Sequence, residues 1–245
     1  MKTLNIILLS FIGFAISCGV SNSSEHNSEI ELEKLALELI REQSFEQGVA
    51  TMKVAAEKCF SKGDISHGNL MRFNIGMIYS DDLEQLDSAS IYFDGVRNYY
   101  RQINDKFVLA QLTKYRGYII GMSGDDEVGV EILIEAVDSF LNVDYIFGVA
   151  DCWFRISKVN FLKERLESSK LFFERSDSLL KTQGGQSHIF TNNIFGLTLY
   201  NELGDWNGTQ RMIDQNNSIL KNYKISANLI NKYKLSLKKL QMNGH

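Results

Sequence analysis

The sequence predicts an all-α protein, a stack of about five antiparallel helix pairs closed by a C-terminal helix. Three observations carry that expectation. The first is a repeat. The stretch Gly117 to Ala136, GYIIGMSGDDEVGVEILIEA, reads as one helical hairpin broken at Gly124-Asp125, and its pattern recurs along the chain. Positions equivalent to Gly117 are Ala36, Gly76, Ser157 and Leu197, at steps of 40 or 41 residues. Those equivalent to Gly129 are Gly48, Ala89, Ser169 and Thr209, all small, and those equivalent to Leu133 are Met52, Phe93, Phe173 and Ile213, all bulky and apolar. A period of this length marks helical units that bury their apolar faces only against their neighbours. The second is the absence of proline from all 245 residues, which fits uninterrupted helix. The third is an apolar content of 44%, ordinary for a folded chain.

Helices in a proline-free chain must stop on glycine, asparagine, aspartate or serine. The formal net charge of −4 excludes a strongly basic nucleic-acid binder.

Lys2 precedes an apolar run, LNIILLSFIGFAI, and then Ser17-Cys18. A charged start, a short apolar segment and small residues before a break predict an export signal over residues 1–17. The run is too short for a spanning helix, which needs roughly 20 apolar residues. The AISC ending resembles the lipobox of bacterial lipoproteins, with Ala15 where leucine is commonest, and implies lipidation of Cys18. An ordinary secretory signal with an incidental cysteine is the alternative. Residues 18–28 are small and polar and read as a tether, with His26 solvated in it.

Residues 29–222 hold the pairs. The first joins a helix around Ile30 to Glu42 with one around Phe45 to Phe60. Leu32, Leu35, Ala36, Leu39 and Ile40 give its apolar face, and Lys62-Gly63-Asp64 ends it. The second runs from about Ser66 to Ser80 and Glu84 to Ile103, turning at Asp81-Asp82. The third covers Lys106 to Met122 and Glu127 to Leu141. The fourth covers Tyr145 to Leu162 and Leu166 to Lys181, closed by Gly184-Gly185. The fifth covers Ser187 to Leu203 and Trp206 to Asn222, turning at Gly204-Asp205.

The final stretch, Ile219 to Leu240, carries Ile219, Tyr223, Ala227, Ile230, Tyr233, Leu237 and Leu240 at helical spacing. It predicts a capping helix over residues 223–245 that covers the last repeat. Lys221, Lys224, Lys232, Lys234, Lys238 and Lys239 lie there with no acid after Asp214, whereas residues 25–46 carry seven glutamates. Such a helix lies on an anionic membrane, docks a partner, or is a solvated cap whose lysine stems cover apolar surface.

The motifs now carry a resemblance. Trp153, Ile156 and Ser157, the pair Gly76 and Tyr79, and Tyr200 are similar to the first helix of tetratricopeptide repeats. Gly124-Asp125 and Gly204-Asp205-Trp206 are similar to the family's turn. Gly129, Leu133 and Ala136, with Ala89, Phe93 and Val96, resemble its second helix. The interval departs from the usual 34 residues and the consensus proline is missing, so other helical repeats of about 40 residues also fit. The resemblance implies a right-handed superhelical solenoid whose first helices line a concave face that holds a peptide or a partner helix. Its slots transfer to Phe73, Asn74, Met77, Lys114, Tyr118, Asp151, Phe154, Arg155, Lys158 and Asn201. Lys114, Arg155 and Lys158 beside Asn74 would grip a carboxylate, and Phe73, Tyr118 and Phe154 would anchor aromatically. The alternative for this set is ordinary solvated surface.

No catalytic constellation is legible. The four histidines are scattered with no HExxH pair, and neither a GxSxG elbow nor a glycine-rich phosphate loop is present. Cys59 and Cys152 are expected as buried thiols in different hairpins. Asp81-Asp82 and Asp125-Asp126 are expected at helix starts, where acids suit the helix dipole. The expectation is a non-enzymatic, lipid-anchored scaffold of the bacterial cell envelope that binds a protein or peptide, with no cofactor, metal or nucleic acid. A sensory domain binding a signalling peptide or small ligand is the alternative. An unrecognised enzyme lacks any nucleophile–base spacing, and an orphaned sensor lacks any continuation after the cap.

Overall fold

The computed structural model describes residues 27–183 and 185–242, and the predicted signal, Cys18 and His26 lie outside them. Among the described residues there are eleven α-helices and no strand. They are α1 (Asn27–Arg41), α2 (Phe45–Ser61), α3 (Ile65–Asp81), α4 (Leu86–Gln102), α5 (Lys106–Met122), α6 (Asp126–Leu141), α7 (Ile146–Leu162), α8 (Leu166–Gln183), α9 (Gln186–Glu202), α10 (Trp206–Asn222) and α11 (Ala227–Met242). Every predicted helix of the five pairs is present. Two compact units divide at Ile119/Ile120: one holds α1–α4 and most of α5, the other the end of α5 and α6–α11.

The turns have a shorter period than the pairs. Gln43, Gly63, Glu84, Asn104, Gly124, Asp144, Glu164 and Gly204 all have positive φ, from 53° to 125°. Steps of 20 or 21 residues separate them, with one doubled step before Gly204, so turns within and between pairs use one device. After Gly63 the device is complete: its N–H donates to the Phe60 carbonyl at 3.0 Å and the Asp64 N–H to the Cys59 carbonyl at 2.9 Å. This Schellman closure repeats at Asp205 onto Tyr200 and at Arg165 onto Asn160. Where an aspartate follows the left-handed residue, it caps the next helix: the Asp64, Asp105 and Asp205 carboxylates accept from the His67, Val108 and Gly208 N–H groups, whereas Ser44, Gln85 and Tyr145 in the same position make no side-chain cap. Left-handed backbone disfavours side chains, yet glutamate, glutamine, asparagine and aspartate hold five of these positions.

The second pair differs from expectation. Its turn spans residues 82–85, so α4 begins at Leu86 and the extra residue accounts for the 41-residue step there. Asp81 ends α3 instead of starting a helix, and its carboxylate accepts from the Tyr115 hydroxyl at 2.7 Å. Asp125 does cap α6, at 3.4 Å from the Val128 N–H.

The small positions are where helices touch. A methyl on Gly76 would stand 2.7 Å from the Phe93 ring, and one on Gly148 would stand 2.5 Å from Phe140. Ala36, Ser157, Leu197, Ala89, Ser169 and Thr209 are all fully buried, as are Met52, Phe93, Leu133 and Phe173. In the fifth pair Met212, not Ile213, fills the bulky slot: Ile213 is half-buried, while the Met212 sulfur comes within 3.0 Å of a methyl placed on Gly196.

In the first unit the core runs through Phe73, Phe93, Tyr100, Leu112 and Tyr115. In the second it joins Phe173, Phe190, Leu197, Tyr200, Met212 and Tyr233. The cap is shorter than predicted. Tyr223 is extended and exposed, Ile225 is buried, and α11 starts only at Ala227, with the Ser226 hydroxyl accepting from the Leu229 N–H. One helix continuous from Ile219 would run past the repeat, whereas the break turns α11 back onto α9. There Tyr233 meets Phe190 edge-on at 5.5 Å and donates to the Ile213 carbonyl.

Candidate functional site

The first unit carries five of the residues transferred from the repeat family. Phe73 is 1% exposed and packs against Phe93, Tyr100 and Tyr115 at 5.7 to 6.4 Å between ring centres. It is therefore a core residue, not an anchor for a bound chain. Helical spacing explains this: Phe73 and Gly76 are three apart and share the face that Phe93 fills. Lys114 is 4% exposed, with its ammonium donating to the Gln111 side chain at 2.7 Å and lying 4.3 Å from the Tyr115 ring centre. That buried cation is not presented to solvent as carboxylate binding would require. Tyr118 and Asn74 are also buried, and among the described residues the Asn74 side-chain oxygen has no hydrogen-bond partner. Met77 is half-buried against the same core.

The second unit carries the other five, and α7 brings four of them onto one face. Asp151, Phe154, Arg155 and Lys158 follow i, i+3, i+4 and i+7 spacing. Arg155 is buried and donates from Nε to Asp151 at 3.2 Å, while Lys158 lies 5.9 Å from the Phe154 ring centre. Phe154 stands perpendicular to Phe195 of α9, centres 5.5 Å apart. Asn201, near the end of α9, shares no hydrogen bond or ion pair with this strip among the described residues.

Two aromatic–cation stacks escaped the sequence reading. Trp153 and Phe172 lie nearly parallel at 5.7 Å, with the Arg175 guanidinium 5.3 and 5.4 Å from the two rings. In the first unit Tyr79 stacks on Tyr92 at 5.6 Å. Lys53 donates to the Tyr79 hydroxyl at 2.9 Å, which raises the Lys53 pKa despite partial burial. Such contacts stabilise by roughly 0.5–1 kcal/mol when exposed. The signal was present: Tyr92 and Phe172 both immediately precede the buried aromatic of their second helices. Beside Lys53, a cavity of about 150 Å³ is lined by Glu46, Val49, Ala50, Tyr79, Leu83 and Gln85.

Cys59 and Cys152 are buried and unbridged. Burial pushes the Cys59 thiol up to about 11, aided by the Asp64 carboxylate. Among the described residues no group of three histidines, cysteines or carboxylates is placed to hold a metal.

No protein-family model matches the chain, and comparison with curated proteins finds no relative. Among solved structures it is similar to BtubC (BKLC) from P. vanneervenii, at 14% identity and a TM-score of 0.52, covering 82% of this chain and 91% of that one. PilW, a widely conserved type IV pilus biogenesis factor, is 12% identical over 85% of this chain and 98% of its own, with a TM-score of 0.44. A circular tandem repeat protein is 13% identical over 89% and 60%, with a TM-score of 0.26. At such identities likeness speaks only to fold, and that fold is a tetratricopeptide-like array of stacked helix pairs.

Proposed function

We infer that the protein is a non-enzymatic scaffold of the bacterial cell envelope, anchored by a lipid on Cys18, that binds a protein or peptide through the first helices of its pairs. The observation that carries the binding reading is the α7 strip. Asp151, Phe154 and Lys158 are only half-buried, so one helix face offers an aromatic ring beside a cation and a carboxylate already oriented by Arg155. Aromatic and charged groups on a rigid element are what recognition uses for anchoring and orientation. Helix pairs also present their side chains without needing a reaction centre. The anchor rests on the AISC sequence and the apolar run before it.

Two measurements test the two halves separately. Intact mass and membrane partitioning of wild type beside Cys18→Ala test the anchor, which requires a mature chain starting at Cys18 with diacyl mass and a soluble mutant. Crosslinking from native membranes, with wild type beside Phe154→Ala/Lys158→Ala, tests the strip. A partner captured equally by both forms removes α7 from the binding face.

A further inference from the structure

The outward face of α11 combines features that the repeat fold does not use. The helix docks on the second unit through Tyr233 and Leu240, supported by Leu229, Ile230 and Leu237. On the opposite side Leu235 is 60% exposed and Met242 is 76% exposed, and their seven-residue spacing sets them on one line along the helix. Lys234 and Lys238 flank that line on one side, Lys232 and Lys239 on the other. An apolar centre bordered by lysines on both sides is the pattern of a helix lying in the plane of a lipid surface.

Charge points the same way. Residues 215–245 carry six lysines and no acid, in a chain whose net charge is −4. None of Lys221, Lys224, Lys232, Lys234, Lys238 and Lys239 forms an ion pair among the described residues. The segment just before α11 adds exposed Tyr223 and Lys224. Tyrosine favours the boundary between headgroup and hydrocarbon, where its ring is apolar and its hydroxyl stays wet.

We propose that the outward face of α11 is a membrane-contact surface that seats Leu235 and Met242 among the headgroups of an anionic bilayer. The lysines around them neutralise lipid phosphate. An acidic protein would be drawn by the same lysines, but it gives no reason for an exposed apolar line between them, whereas a bilayer has a use for both. This surface goes beyond the scaffold reading and does not depend on acylation of Cys18.

The test uses the full chain carrying Cys18→Ala, so that no lipid contributes and failure of the anchor reading does not enter. Sedimentation is measured with vesicles of phosphatidylcholine alone and of phosphatidylcholine with about one-third phosphatidylglycerol, an anionic fraction that gives a negative surface potential. Residues 1–17 are common to every variant, so their contribution cancels in the comparison. The expected result is preferential binding to the anionic vesicles, weakened by high salt. Lys234→Gln/Lys238→Gln/Lys239→Gln should reduce it on the order of 100-fold, since each juxtamembrane lysine contributes several-fold. Leu235→Ser/Met242→Ser should also weaken it while the thermal midpoint stays unchanged, because neither side chain packs in the core. Equal binding to both vesicle types, or no effect of the lysine substitutions, overturns the proposal. Loss with the lysine variant but not the apolar one also overturns it, because the contact is then electrostatic and nothing is seated. Binding to soluble poly-glutamate in place of anionic vesicles assigns the face to an acidic protein.

Discussion

Ser157 and Ser169 exchange hydrogen bonds across the fourth helix pair, each hydroxyl donating to the other's backbone carbonyl, at 2.7 and 2.9 Å. They occupy the two small positions of the repeat, one on α7 and one on α8, and both are fully buried. Small side chains there let two helices approach closely, so each hydroxyl reaches the facing backbone, and the two hydroxyl oxygens also lie 3.0 Å apart. Removing one hydroxyl strands no donor, so Ser157→Ala should cost about 1 kcal/mol, the net worth of one bond. Ser169→Val adds volume at the closest approach and should cost about 2 kcal/mol. Urea unfolding of both variants checks the order, and a Val variant as stable as the Ala variant would contradict close packing at this point.

The left-handed turn at Glu164 offers a stabilising change. Its φ is 58° and its side chain is exposed, so it pays a steric penalty without a compensating contact. Glu164→Gly should raise stability by about 0.5–1 kcal/mol, the usual preference for glycine after a helix end. Calorimetry that found a lowered midpoint would mean that glycine's extra freedom in the unfolded chain outweighs the relief.

Gly148 is tight in the opposite sense. A Cβ there would lie 2.5 Å from the ring of Phe140, which is fully buried. Gly148→Ala should destabilise by about 2 kcal/mol, and adding Phe140→Leu should recover part of that loss. A double-mutant cycle without coupling would show that the two do not compete for space.

His67 supplies a pH dependence. Its Nε2 lies 3.0 Å from Glu33, and that hydrogen bond raises its pKa above the ordinary 6.5, against the effect of burial. A raised folded-state value favours the protonated, folded form. The contribution is therefore complete below 6.5 and disappears as pH rises through the folded value. Thermal midpoints should fall over that window in wild type and flatten in Glu33→Gln. A wild-type midpoint that climbs over the same range would refute the pairing.

Thiol chemistry separates the two cysteines from Cys18. In Cys18→Ala, native protein should react very slowly with a thiol reagent at neutral pH, because Cys59 is buried with its pKa near 11 and Cys152 is buried as well. Unfolding in denaturant should release both thiols together. Prompt reaction of one equivalent before unfolding would show that a hairpin opens locally.

The array was legible in the sequence because its information is local and periodic. Glycine, serine and alanine recur where helices touch, and Phe93, Leu133 and Phe173 recur four residues later, so pair number and helix order follow from spacing alone. What spacing does not encode is which of two adjacent residues turns inward when a neighbour changes. Met212 displaced Ile213 from the bulky slot because Gly196 leaves room for a flexible sulfur. Phe73 left the binding face for the interior because α4 and α5 together close over it with Phe93, Tyr100 and Tyr115, and Lys114 is buried too, held by Gln111 and Tyr115 of its own helix. The left-handed glutamates and the break before Ala227 were likewise decided in three dimensions. A turn that must close one helix onto the next imposes its backbone on whatever residue stands there, and a capping helix must reverse to reach the face it covers.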